Sequence, residues 1–318
     1  MPRTGTLSVG AAILVLCAVL ALAAPGFFSR ANLSDLFISN VPVLIVALGM
    51  TVVILAGEID ISVGSVFAIA SVIAGAAAKS GMPSPVAAIA GCLAGALLGS
   101  LNGTMVAYVR IPSIVATLAA MIALRNGLLW ITQGAWIENL PAGFQWLGLP
   151  QGAYPAAMFS IAVALSGGAA WILGNLRIGR NVYATGSNEE ASRLAGIRTR
   201  AVKLWAFTVL GALTGLAAAL NSARFNQIPS NTGAGLELKV IAAVVVGGAA
   251  VTGGSGTIAG TILGVILLGM IGPALTFLGA SAYWERAIQG GIILAALSMG
   301  AMRARAKSGE RFGATQPA

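Results

Sequence analysis

Ten apolar runs, separated by Gly, Pro, Asn or charge, organise the chain from end to end. They fall at 8–24, 41–56, 61–79, 84–108, 113–132, 154–175, 202–221, 238–252, 256–277 and 284–302. The breaks read "PGFFSRANLSD", "KSGMPSP", "RIPS" and "TGGSG", where Gly and Pro disfavour a continued helix. About 20 apolar residues cross ~30 Å of hydrocarbon as a helix, and a helix satisfies its own backbone hydrogen bonds there. The pattern predicts an all-α, polytopic membrane protein of about ten transmembrane helices, some short or broken. Residues 1–302 form a single transmembrane domain and 303–318 a basic tail. The first run, with Arg3 ahead of it and "ALAAPG" behind, has the look of a signal peptide. Many more spans follow, so it is read as an uncleaved first helix.

Composition agrees. Of 318 residues, 58% are hydrophobic and only 8% charged, against about 25% charged in a soluble chain. The net charge of +9 sits largely in the short links. Twelve of the eighteen Lys and Arg residues fall on the N-terminal side of the predicted topology: Arg3, Arg110, Arg177, Arg180, Arg193, Arg198, Arg200, Lys203, Arg303, Arg305, Lys307 and Arg311. That asymmetry puts both termini in the cytoplasm. Charge spread over links is unlike the wet basic face of a nucleic-acid binder. With no His and nine acids, a transition-metal site is not expected. Neither "GAAAKS" (75–80) nor "GGSGTIAG" (253–260) meets the phosphate-loop spacing. No metal, cofactor or catalytic residue is predicted. Cys17 and Cys92 lie within apolar runs and are read as thiols rather than a disulfide.

Small residues recur at four-residue spacing. Gly91, Gly95, Gly99 and Gly103 form one stripe; Gly256, Gly260 and Gly264 form another. Such stripes let helix backbones approach closely in lipid, either within a subunit or across a dimer seam. There is also a faint internal echo. Residues 54–65, "ILAGEIDISVGS", align without gaps on 244–255, "VVVGGAAVTGGS". At both places a short span is expected to break at a Gly-rich turn before the next helix starts. The run 41–56 would rise only ~24 Å, less than a full crossing. Paired broken segments point to a transporter's substrate path.

A few polar residues stand out because charge inside a bilayer is costly. Asp60 and Ser62 lie in "GEIDISVGS" (57–65). Asp60 either caps a helix starting at Ile61, through its carboxylate and backbone N–H groups, or lines a path below the membrane surface; the two are compatible. Arg125, beside Asn126 and midway along 113–132, either snorkels or faces a wet cavity. Asn102 and Thr104 lie in the neighbouring span. Asp60, Ser62, Asn102, Arg125 and Asn126 are the candidates for a translocation path.

The largest polar link, 176–203, predicts a short helix over 188–195. Ser187 or Asn188 caps its start, Glu189 and Glu190 occupy the first turn, and Arg193 follows in the later part. Gly196 stops it in the left-handed conformation, and Ala191 and Leu194 give it a small apolar face.

These motifs together resemble a known family. "EASRLAG" (190–196) resembles the E-A-A-x-x-x-G loop of ABC importer permeases, with Ser192 where the motif has Ala. "GRNVYATGSNEEASRLAGI" (179–197), "IPSIVATLAAMIALRNGL" and "VVVGGAAVTGGSGTIAGTILG" are similar to the branch that imports ribose, xylose, galactosides, rhamnose and autoinducer-2. "GEIDISVGS" resembles that branch's G-G-I-D-L-S-V-G-S, Glu58 replacing a Gly. Within the branch, "IPSIVATL" and "QGAWIENLPAGFQWLG" look closest to rhamnose-type permeases. The resemblance implies a non-catalytic permease that dimerises with itself or a sister subunit. It would receive a monosaccharide from a periplasmic sugar-binding protein and be driven by a separate cytoplasmic ABC ATPase. That ATPase would engage the coupling loop through Glu189, Glu190, Ala191, Arg193 and Gly196. The rival readings are an ion-coupled secondary sugar transporter and, given the sparse acid/base inventory, a less favoured membrane-embedded enzyme.

Overall fold

The structure, a computed structural model, describes residues 3–281, 283–285, 287–292 and 294. The predicted tail 303–318 lies outside the described residues, as does much of the tenth run. Among the described residues there are eleven α-helices and no β-strand: α1 (Arg3–Ala23), α2 (Arg30–Leu55), α3 (Val63–Lys79), α4 (Ser84–Ala107), α5 (Ser113–Thr132), α6 (Tyr154–Asn175), α7 (Arg177–Ser187), α8 (Glu189–Leu194), α9 (Thr199–Ser222), α10 (Leu236–Val246) and α11 (Ile258–Phe277). Seven of them (α1, α2, α4, α5, α6, α9 and α11) are long and apolar enough to cross a membrane, and α3 is a shorter apolar helix. The chain is an all-α polytopic membrane protein.

Two boundaries differ from the sequence expectation. The predicted short span 41–56 is part of a 26-residue helix, ~39 Å long at 1.5 Å per residue. "RANLSD" reads as a break because it is polar, but polar first turns outside the hydrocarbon are still helical. Ser29 caps them by accepting the Asn32 N–H at 3.4 Å, and the helix continues through Pro42. Conversely, the run 238–252 supplies only nine helical residues, because α10 stops at Val246 and Gly248 turns the chain with φ +95°. The short helices are therefore α3 and α10, each beside one of the two echoing segments.

Both small-residue stripes are engaged inside the subunit. Gly91, Gly95 and Gly99 of α4 pack on the backbone of α9 at Gly215, Gly211 and Phe207. Gly103 abuts Leu204. Gly260 and Gly264 of α11 meet Gly247 and Ala243 at the end of α10, and Gly256 meets Ala249. α2 runs through the core, where the Thr51 and Thr261 hydroxyls bond at 2.7 Å. Cys17 and Cys92 are free.

The links gather at two ends. At one, Ser84 bonds the Gly143 carbonyl, Ile137 bridges Ile228, and Arg224 reaches Asp35 at 3.0 Å. At the other, α7, α8 and the echo segments 54–65 and 244–255 come together.

Candidate functional site

After Leu55 the backbone unwinds and climbs along α5 before helix resumes at Val63. Each step is held by α5 at one-turn intervals. The Ile59 N–H donates to Ser113 Oγ at 3.3 Å, the Ile61 N–H to Thr117 Oγ1 at 3.1 Å, and Ser65 Oγ to the Met121 carbonyl at 2.9 Å. Non-helical backbone inside a membrane protein needs such partners, since lipid offers none. The next position on this i, i+4 stripe is Arg125, whose guanidinium donates to the Asn231 and Thr232 carbonyls, each at 3.3 Å. Ser113 and Thr117 were not singled out from the sequence. Their signal, S-x-x-x-T-x-x-x-M-x-x-x-R on one helix face, gains meaning only beside a broken partner.

Three predicted path residues form one buried cluster. Asp60 Oδ1 accepts the Ser62 backbone N–H at 2.7 Å and the Ser62 hydroxyl at 2.6 Å. Asn102 Nδ2, from α4, donates to Ser62 Oγ at 2.7 Å and to Asp60 Oδ2 at 3.4 Å. Asp60, Ser62 and Asn102 are each about 98% buried or more. The helix start predicted at Ile61 falls two residues later, because Asp60 closes a turn onto Ser62 instead of capping the first helical turn. Arg125 stands further along α5, where the starts of α3 and α10 and the 231–235 loop converge on Gly64. Asn126 is not brought in; it is exposed and its amide returns to the Ile122 carbonyl. Thr104 is likewise exposed and bonds its own helix at Ser100.

Beside this junction lies a cavity of about 950 Å³, lined among others by Ser39, Phe67, Thr232, Glu237, Lys239 and Glu285. Small-molecule sites typically enclose roughly 300–1,000 Å³. Lys239 Nζ stands 3.6 Å from Glu285 Oε1.

At the opposite level, the predicted short helix is α8. Asn188 caps it by accepting the Ala191 N–H at 2.9 Å. It ends in a Schellman motif: Gly196 has φ +83°, its N–H donates to the Arg193 carbonyl, and the Ile197 N–H donates to the Ser192 carbonyl. Glu190 and Arg193 pair at 2.5 Å on the exposed face. Ala191 is exposed, and Leu194 is 81% exposed. The sequence did not foresee α7, which precedes α8 and ties it to both echo segments. Gly186 packs against Gly57, Tyr183 OH donates to the Gly256 carbonyl at 2.9 Å, and the Gly254 N–H crosses to the Leu55 carbonyl at 3.0 Å. Glu189 joins α9 through Lys203 Nζ at 2.7 Å. Burial pushes the Glu189 carboxyl up, but the hydrogen bond and charge of Lys203 outweigh it and hold the group below its ordinary range. It is ionised at neutral pH, and the link is lost only as pH falls through that lowered value.

A multi-pass helical protein with two interrupted helices, a buried polar cluster at one interruption and a link helix tied to both has the build of a membrane permease. The family of permease components of branched-chain amino acid transport systems matches residues 32–297, and the chain belongs to it. The autoinducer 2 import system permease protein LsrC of Yersinia pseudotuberculosis is 38% identical over 292 residues, covering 90% of this chain and 82% of its own. LsrC of Salmonella paratyphi B is 38% identical over 273 residues, covering 85% and 78%. No solved structure matches the chain.

Proposed function

We propose that this chain is the transmembrane subunit of an ATP-driven ABC importer in the bacterial inner membrane. It passes a small polyhydroxylated molecule from a periplasmic sugar-binding protein to the cytoplasm. The cargo is a monosaccharide of the pentose or deoxyhexose kind, with rhamnose one candidate, or autoinducer 2, the molecule named for its relatives. A second permease subunit, identical or sister, completes the pathway, and a separate ABC ATPase hydrolyses ATP. Asp60, Ser62, Asn102 and Arg125 lie on the path, and α8 with Glu189, Glu190, Ala191, Arg193 and Gly196 docks on the ATPase.

The observation that carries this reading is α8 itself. It is a capped, rigid helix with an outward leucine, on a segment that grips both interrupted helices. A cytoplasmic motor pushing there would move the two breaks together. An ion-coupled carrier has no use for such an element.

In the permease co-expressed with its ATPase, Leu194→Asp is expected to abolish co-purification of the ATPase without affecting insertion, since Leu194 makes no core. Gly196→Val should lose it more severely than Gly196→Asn, because a β-branched residue resists positive φ. Undiminished association in Leu194→Asp and Gly196→Val would show that α8 is not the docking element, and a parent permease that binds no ATPase would favour the ion-coupled carrier.

Orientation is tested separately. In a Cys17→Ala/Cys92→Ala background, Gln151→Cys should react with impermeant maleimide from outside intact cells. Ala195→Cys should react only after permeabilisation. The reverse pattern would invert the topology.

A further inference from the structure

We propose that Lys203 is a positioning residue that couples the docking helix to the interrupted turn by holding Glu189 and Glu58 at one point. The proposal rests on α8 being the ATPase-docking element. Lys203 Nζ lies 2.7 Å from Glu58 Oε1 and 2.7 Å from Glu189 Oε2. These carboxylates belong to different moving parts. Glu189 opens α8; Glu58 sits in the unwound segment, two residues before Asp60.

The legs of this triad differ. The Lys203 and Glu58 side chains are each 13% exposed, whereas that of Glu189 is 50% exposed. Charges with little access to water interact strongly and cannot be left unpaired without penalty. The inner leg is thus shielded from water and the outer one open to it. Lys203 itself is fixed by α9, whose next residue, Leu204, packs on Gly103 of α4. Displacing α8 alone would strip Lys203 of one partner, and displacing the turn alone would strand Glu58. Neither moves independently at low cost.

The segment beyond Glu58 carries the displacement further. Ile59 and Ile61 are bound to α5, and Asp60 holds Ser62 and the Asn102 amide. A shift at Glu58 is therefore delivered to the buried cluster through the short non-helical segment 58–60. Other contacts at this end, such as Tyr183 to Gly256 and Gly57 against Gly186, start from α7. Among the described residues, the side-chain ion pairs joining α8 to the turn run through Lys203.

The test uses the full importer in proteoliposomes, with its binding protein loaded with autoinducer 2 as the probe. Glu58→Gln removes the inner charge while leaving a hydrogen-bond acceptor; Lys203→Met removes the shared cation. Both are expected to keep ATPase association and basal hydrolysis within about twofold of the parent. Stimulation by the loaded binding protein should fall about tenfold, the usual scale of an intersite coupling. Lys203→Arg, whose fork can bridge two carboxylates, should restore most of it. Parent-like stimulation in Glu58→Gln and Lys203→Met would overturn the proposal. So would loss of insertion or of ATPase association in step with stimulation, since the triad would then only hold the fold. A parent permease that binds no ATPase would remove the reading beneath, and this proposal with it.

Discussion

Gly95→Leu is expected to leave no folded permease. A Cβ at Gly95 would fall on the carbonyl oxygen of Gly211 and within 3.0 Å of both the Gly211 carbonyl carbon and the Gly215 nitrogen. The clash is reciprocal, for a Cβ at Gly211 meets the Gly95 carbonyl and lies 3.0 Å from the Gly99 Cα. Overpacking costs about 1–3 kcal/mol where side chains can move aside. Here every obstructing atom is backbone, so the only relief is to part α4 from α9 along the stripe. Against a total stability of about 5–15 kcal/mol for a typical protein, that parting is ruinous. Gly127→Ala is the contrast. Nothing lies within 4 Å of its added Cβ on α5, and Ala favours the helix by up to about 1 kcal/mol over Gly. Size-exclusion profiles and thermal unfolding in detergent decide: aggregation for Gly95→Leu, an equal or higher melting temperature for Gly127→Ala. A monodisperse Gly95→Leu protein melting with the parent would refute the α4–α9 contact.

That contact was visible in the sequence as a pattern but not as a pair. Four-residue spacing shows that a helix has a smooth face; it does not say what lies on it, and Gly211 and Gly215 were not marked. The same division runs through the site. The caps of α8 were legible because Asn188 and Gly196 act within a turn of themselves. So was the break at 57–62, since two carboxylates between apolar runs need an explanation inside a bilayer. The donors and acceptors that make the break tolerable were not legible. Ser113 and Thr117 belong to another helix, and Lys203 reaches Glu58 from the far half of the chain. α7 was missed because Gly179 and Gly186 lower its intrinsic helicity; both glycines are needed where the helix touches Leu173 and Leu55. Residues 41–56 look like a short span for a simpler reason: the polar segment 30–35 marks the end of the hydrocarbon, not the end of the helix.

Exchanging Asp60 and Asn102 is expected to restore folding lost in either single variant while leaving uptake impaired. Asp60→Asn keeps an acceptor for Ser62 but turns Oδ2 into a donor facing the Asn102 amide. A buried group left unsatisfied costs about 1–3 kcal/mol. Asn102→Asp sets two buried carboxylates against each other, a worse conflict. In the double variant, the amide at 60 donates to the carboxylate at 102. Its carbonyl still accepts the Ser62 N–H, and the Ser62 hydroxyl rotates to donate to 102. Three of the four bonds seen at 2.6–3.4 Å then have a counterpart; the one lost is that from the Ser62 hydroxyl to residue 60, since its single proton now goes to 102. What the exchange does not restore is the place of the charge, which moves from the unwound turn to the fixed helix α4. Thermal unfolding and uptake of the transported molecule, measured on the same preparations, separate the two roles. If both recover, Asp60 only holds the turn onto Ser62 and the place of its charge is irrelevant to transport. If stability stays low in the double variant, the hydrogen-bond pattern assigned to the cluster is wrong. Recovered stability with uptake still impaired assigns the carboxylate to the path, because only its position along the interrupted helix then distinguishes the variant from the parent.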